Sequence, residues 1–151
     1  MATRTSRGWA VCPEHDDPRM DVVRDAIRED LERGADAVWL RLGVDHATRI
    51  QTAGDLARVL DAVDLSKIPV WIEAEADVIP MASALIALAD SVGVGREKLR
   101  GGFGADPLGT LAKIGTLPSG YDSAMRDLCS LARFSDASMP NMRSVLVSSQ
   151  P

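Results

Sequence analysis

The chain has 151 residues, 46% of them hydrophobic and 26% charged, with 22 Asp+Glu against 17 Lys+Arg; this suits one ordinary folded domain. A formal net charge of −5 supplies no uniform basic surface, so neither nucleic acid nor a membrane surface is an expected partner. Two cysteines, Cys12 and Cys129, and a start without a cationic and apolar leader fit reduced thiols in a cytoplasmic protein.

Two hydrophobic periods alternate along the chain. Over residues 19–33, Val23, Ile27 and Leu31 recur four apart amid charges, with Pro18 before and Gly34 after, which predicts an amphipathic helix with a glycine stop. Residues 37–42 are short, β-prone and mostly apolar, as in a strand covered on both faces. A second helix is predicted over 53–63, a second strand over 70–74 and a third helix over 78–92. Residues 101–104 read as a glycine-rich strand, and Asp106-Pro107 as an N-cap with proline at the first position of a helix to Ile114. A longer helix over 121–137 and a fourth strand over 144–148 complete the pattern. Strand–helix alternation with crossovers of this length predicts an α/β fold of parallel βα units, either a small open sheet or the first half of a TIM (βα)8 barrel.

Val38-Trp39-Leu40-Arg41 and Val70-Trp71-Ile72-Glu73 repeat one apolar-Trp-apolar-charged pattern, which puts Arg41 and Glu73 at the carboxyl ends of neighbouring strands with matching parity. Sites form there in both architectures, although a structural ion pair is the simpler reading of such a pair. Cys12-Pro13-Glu14-His15 resembles the start of a zinc site without its second half, and a buried, inert thiol is the default for Cys129. The glycines of residues 101–109 could cradle a phosphate, but no Lys-Ser/Thr follows them, and close backbone packing in a barrel wall explains them better. Glu75, Asp77 and Asp106 stand near strand ends or helix starts, where N-capping accounts for them.

The order and spacing of several segments go further. Gly93-Val94, Glu97-Lys98-Leu99-Arg100-Gly101, Ala105-Asp106-Pro107-Leu108-Gly109, Met125-Arg126, Ala137-Ser138-Met139-Pro140 and Ser144-Val145-Leu146-Val147-Ser148 resemble the barrel domain of the cobalamin-dependent methylmalonyl-CoA mutases. Gly8-Trp9 and the segment from Glu29 to Ala35 resemble it as well. The resemblance implies a (βα)8 barrel threaded by the coenzyme A tail and a separate cobalamin-binding domain, with a catalytic large subunit and a similar, inactive small one. Against an active subunit of that family, a Gln-Asn-Asp is replaced by Gly104-Ala105-Asp106, a substrate-carboxylate Arg falls near Ile114, a thioester-contacting His falls near Pro151, and a tyrosine-bearing segment is reduced to Ser6-Arg7-Gly8-Trp9. Ile114 cannot pair with a carboxylate, and proline has no N–H to offer a thioester oxygen. Either parity of residues 37–42 puts bulk inside a barrel, whereas a threaded barrel needs small inward side chains.

These features lead to the expectation of a non-catalytic small subunit that pairs with a catalytic large subunit of a heterodimer. Adenosylcobalamin would be bound outside this segment and the acyl-CoA held by the partner. Two alternatives stay open. One is a divergent acyl-CoA mutase using Arg41, Glu73 and Asp106 at the barrel mouth for substrate; the other is a stand-alone α/β module binding phosphate or CoA through residues 101–109. Since the last predicted strand is followed by Gln150-Pro151 and no covering helix, the chain is expected to be the amino-terminal part of a longer barrel. Two open edges and a bare sheet face would then be covered by a second half or a partner.

Overall fold

The computed structural model describes residues 9–43 and 48–147. Five parallel strands, β1 Glu14–His15, β2 Val38–Arg41, β3 Val70–Glu73, β4 Gly101–Ala105 and β5 Met142–Val145, form one sheet in the order β1-β2-β3-β4-β5. Each strand lies beside the next in sequence, without the reversal that creates the switch point of a doubly wound sheet. Sequential winding of this kind is the order of a (βα)8 barrel wall, so the sheet is compatible with part of such a barrel.

The helices are α1 Met20–Glu32, α2 Ala53–Val59, α3 Val78–Ser91, α4 Pro107–Ile114 and α5 Tyr121–Ser138. α2 starts on a capping box: the Thr52 hydroxyl accepts from the Asp55 N–H at 3.1 Å, and the Asp55 carboxylate accepts from the Thr52 N–H at 3.0 Å. It ends at Val59, short of the expected Val63, where the backbone turns at Leu60. α4 starts as predicted, with the Asp106 carboxylate accepting from the Gly109 N–H at 2.8 Å and Pro107 at the first helical position.

Two strand expectations need correction. β1 was not anticipated, because two residues between Pro13 and Asp16 carry no alternation to read. The last strand runs over Met142–Val145 and not over 144–148; Met142 and Val145 take their register from Gly101 and Ala105 of β4, and Ser148 lies outside the described residues.

The core sits on the helix-facing side of the sheet. Val38, Leu40, Val70, Ile72, Phe103 and Ala105 are buried there against Val23 and Ile27 of α1, Leu56 and Val59 of α2, and Met81, Leu85 and Ala89 of α3. Close packing of these buried apolar side chains makes this layer the main source of cohesion. β4 approaches β3 closely because it is glycine-rich. A Cβ at Gly101, whose φ is 120°, would overlap the Val70 carbonyl, and one at Gly102 would stand 2.7 Å from Cζ3 of Trp71.

Candidate functional site

Side chains alternate across a strand, so the residues that do not enter the helix-facing core point to the other, inner face. Trp39 is in register with Glu14 on one side and Trp71 on the other, and Trp71 in turn with Gly102. Two residues further along, Arg41 is in register with Glu73. One row of the inner face is therefore Glu14, Trp39, Trp71 and Gly102, and the next holds Arg41 and Glu73. Trp71 leans over the bare Gly102, which explains why that position carries no side chain.

The predicted Arg41–Glu73 pair exists, but it is the weaker half of a triad. Arg41 Nη1 donates to Glu14 Oε1 at 2.7 Å, whereas Arg41 Nε stands 3.8 Å from Glu73 Oε2. The Glu14 hydrogen bond raises the pKa of the guanidinium further above its usual value. Glu14 escaped the sequence reading because β1 did; its only signal was the two-residue spacing from Cys12, which becomes meaningful once both lie on an extended segment.

A cavity of about 230 Å³ opens on this face between Trp39 and Trp71, with Cys12, Glu73, Gly104 and Leu146 around it. Its walls are almost wholly apolar. Burial raises the Cys12 thiol pKa, which keeps it protonated and unreactive at neutral pH.

Other predicted residues go elsewhere. Asp106 caps α4 and does not line the cavity, so the structure does not join it to Arg41 and Glu73. Glu75 accepts from Lys113 Nζ at 2.7 Å instead of capping a helix, and it holds a φ of 45° just past the end of β3. Asp77 occupies the N-cap position of α3 but its side chain makes no capping hydrogen bond. Cys12 and His15 diverge: the thiol lines the inner cavity, while the imidazole is buried on the helix side with Nε2 3.7 Å from Asp30 of α1. Cys129 is exposed, contrary to the expectation of a buried thiol, because the buried stripe of α5 runs through Leu131 and Ser135. At the glycine segment the close contacts of Gly101 and Gly102 with β3 account for the residue type, and the Gly109 N–H is already bound to the Asp106 carboxylate. That leaves an anion, not a phosphate-binding vacancy, at the start of α4.

Residues 23–151 match the methylmalonyl-CoA mutase family. The chain belongs to that family. Over 147 residues it is 31% identical to a methylmalonyl-CoA mutase small subunit of Streptomyces virginiae, a match covering 97% of the chain and 23% of that relative. The chain thus spans about a quarter of the relative's length.

The family positions can now be placed. Gly104 borders the inner cavity, Ala105 is buried, and Ile114 is half-exposed at the end of α4, away from the inner face. Ser6, Arg7, Gly8, His46 and Pro151 lie outside the described residues. Neither the inner cavity nor the described histidine fits the cofactor implied by the family resemblance. A corrin needs a broad cleft, but the inner cavity is below the roughly 300–1,000 Å³ of ordinary small-molecule sites. His15, the one histidine among the described residues, is 6% exposed beneath α1 and offers no face to a cobalt ion.

Proposed function

We propose that the chain forms the amino-terminal part of the barrel of a mutase small subunit. On this reading it supports a catalytic large subunit that interconverts methylmalonyl-CoA and succinyl-CoA, with adenosylcobalamin held outside these residues. One observation carries the proposal: the inner face, which in a threaded barrel must be lined by small side chains, holds two indoles side by side and a guanidinium tied to a carboxylate. A pantetheine arm cannot pass where Trp39 and Trp71 stand, and the Glu14 and Glu73 carboxylates repel the CoA phosphates. Family membership and the small-subunit relative support the same reading. A cytoplasmic location belongs to this proposal; among the described residues no helix is long and apolar enough to cross a membrane.

The test is calorimetric titration of methylmalonyl-CoA into the purified protein, alone and with its catalytic partner. We expect no saturable heat with the protein alone, and turnover only with the partner. Tight binding that Arg41→Ala abolishes would assign the substrate to Arg41 and overturn the scaffold reading in favour of a divergent mutase with its own site.

A further inference from the structure

We propose that the cavity between Trp39 and Trp71 is a binding site for a small organic cation of the quaternary ammonium type. This goes beyond the subunit assignment and does not depend on it. The argument starts from the register. Trp39 and Trp71 are direct partners on adjacent parallel strands, whose backbones run about 4.8 Å apart. Two electron-rich indoles therefore border one cavity of about 230 Å³. Gly102 on the next strand adds no side chain at that level, and Gly104 borders the same space.

The charge at the rim points the same way. Arg41 is shared by two carboxylates, at 2.7 Å from Glu14 and 3.8 Å from Glu73, so among the described residues the triad carries a net negative charge. Among the described residues the Glu73 side chain accepts no hydrogen bond, and it is 24% exposed beside the indoles. Arg41, held at 2.7 Å by Glu14, meets Glu73 only at 3.8 Å, so a second cation beside the apolar walls would improve the pairing of Glu73.

The wall chemistry then selects the kind of cation. Indole faces attract positive charge, and the attraction grows when water is excluded. A metal ion needs several oxygen ligands and would find one carboxylate; a strongly hydrated primary ammonium would lose water without gaining acceptors. An anion is repelled by Glu73, and a neutral apolar molecule adds nothing to the long contact that Glu73 has with Arg41. A quaternary ammonium group has an apolar skin for the indoles and a charge for Glu73, and the cavity has room for one such head group.

The experiment titrates tetramethylammonium chloride and choline into the protein at constant ionic strength, following tryptophan fluorescence in a Trp9→Phe background, since Trp9 is 88% exposed and reports only solvent. We expect a saturable change with both cations. Affinity should drop about tenfold in Glu73→Gln and in Trp71→Leu, and should also be about tenfold lower for 3,3-dimethylbutan-1-ol, the neutral isostere of choline. Circular dichroism verifies that each variant is folded, and Trp39→Phe replaces Trp71→Leu if the latter is not. Equal binding of cation and isostere would reduce the cavity to an apolar hole and overturn the proposal. So would unchanged affinity in Glu73→Gln, absence of saturation, or preference for n-butylammonium over tetramethylammonium, which would make the cavity a socket for a lysine side chain.

Discussion

The two faces of the sheet are built from the same four-residue segments and behave as different materials. On the helix side Val38, Leu40, Val70 and Ile72 are at most 1% exposed and meet three helices; on the inner side Trp39, Arg41, Trp71 and Glu73 are all partly exposed. Larger side chains thus bury less completely than smaller ones one residue away. The difference teaches that the helix-facing layer alone makes the fold, while the inner face is free to carry bulk and charge that folding does not demand. Substitution should divide along the same line. Leu40→Ala opens a void in a closed core and is expected to lower stability by about 2–5 kcal/mol in chemical denaturation. Trp39→Ala removes more atoms but should cost less than about 2 kcal/mol, because water already reaches the ring. If the tryptophan proves as costly as the leucine, something covers the inner face in solution and the contrast between the faces fails.

Gly102→Ala sharpens the comparison, since it changes the inner face alone. The added methyl would lie 2.7 Å from Cζ3 of Trp71 and 2.8 Å from the Arg143 carbonyl oxygen. The indole can swing toward solvent, but the strand carbonyl cannot, so a loss of about 1–3 kcal/mol is expected. The double variant Gly102→Ala with Trp71→Leu should recover part of it, and a denaturation midpoint no higher than that of Gly102→Ala would show that Trp71 is not what the glycine accommodates.

This asymmetry also explains what could be read from the sequence. Helix periods and β-prone runs follow from the helix-facing core, so α1 and α3 and the strands at Val38 and Val70 were legible almost to their ends. The Asp106-Pro107 start of α4 was equally clear, because an N-cap is a local device. β1 was not legible: its two residues gain their strand character from pairing with Trp39 and Leu40, which lie 25 residues away in the chain. Missing β1 hid Glu14, and hiding Glu14 made Arg41–Glu73 look like the whole ion pair. The Trp repeat did announce which positions share a face, but the cavity between the rings depends on Gly104 of β4 and on Leu146 just past β5, whose register has no signature in sequence.

The smallest expected effect concerns His15, which β1 sends to the helix side. Burial lowers its pKa from the usual 6.5, against the opposing pull of Asp30 and Asp16, and its Nε2 has no hydrogen-bond partner among the described residues. A histidine whose pKa is lower folded than unfolded binds more protons in the unfolded state. Stability is then complete above pH 6.5 and declines as pH falls through the interval below it. Asp17 and Asp64, held near about 2 by Arg19 and Lys67, also favour the folded state, but their contribution fades only in acid well below that interval. Melting temperature followed from pH 7.5 to 5 should therefore fall, and His15→Gln should flatten the slope. A slope that survives in His15→Gln would assign it to another group, and a parent protein without the slope would mean that Asp30 already meets the imidazolium in the folded state, so that the helix-facing layer tolerates a charge as readily as the inner face does.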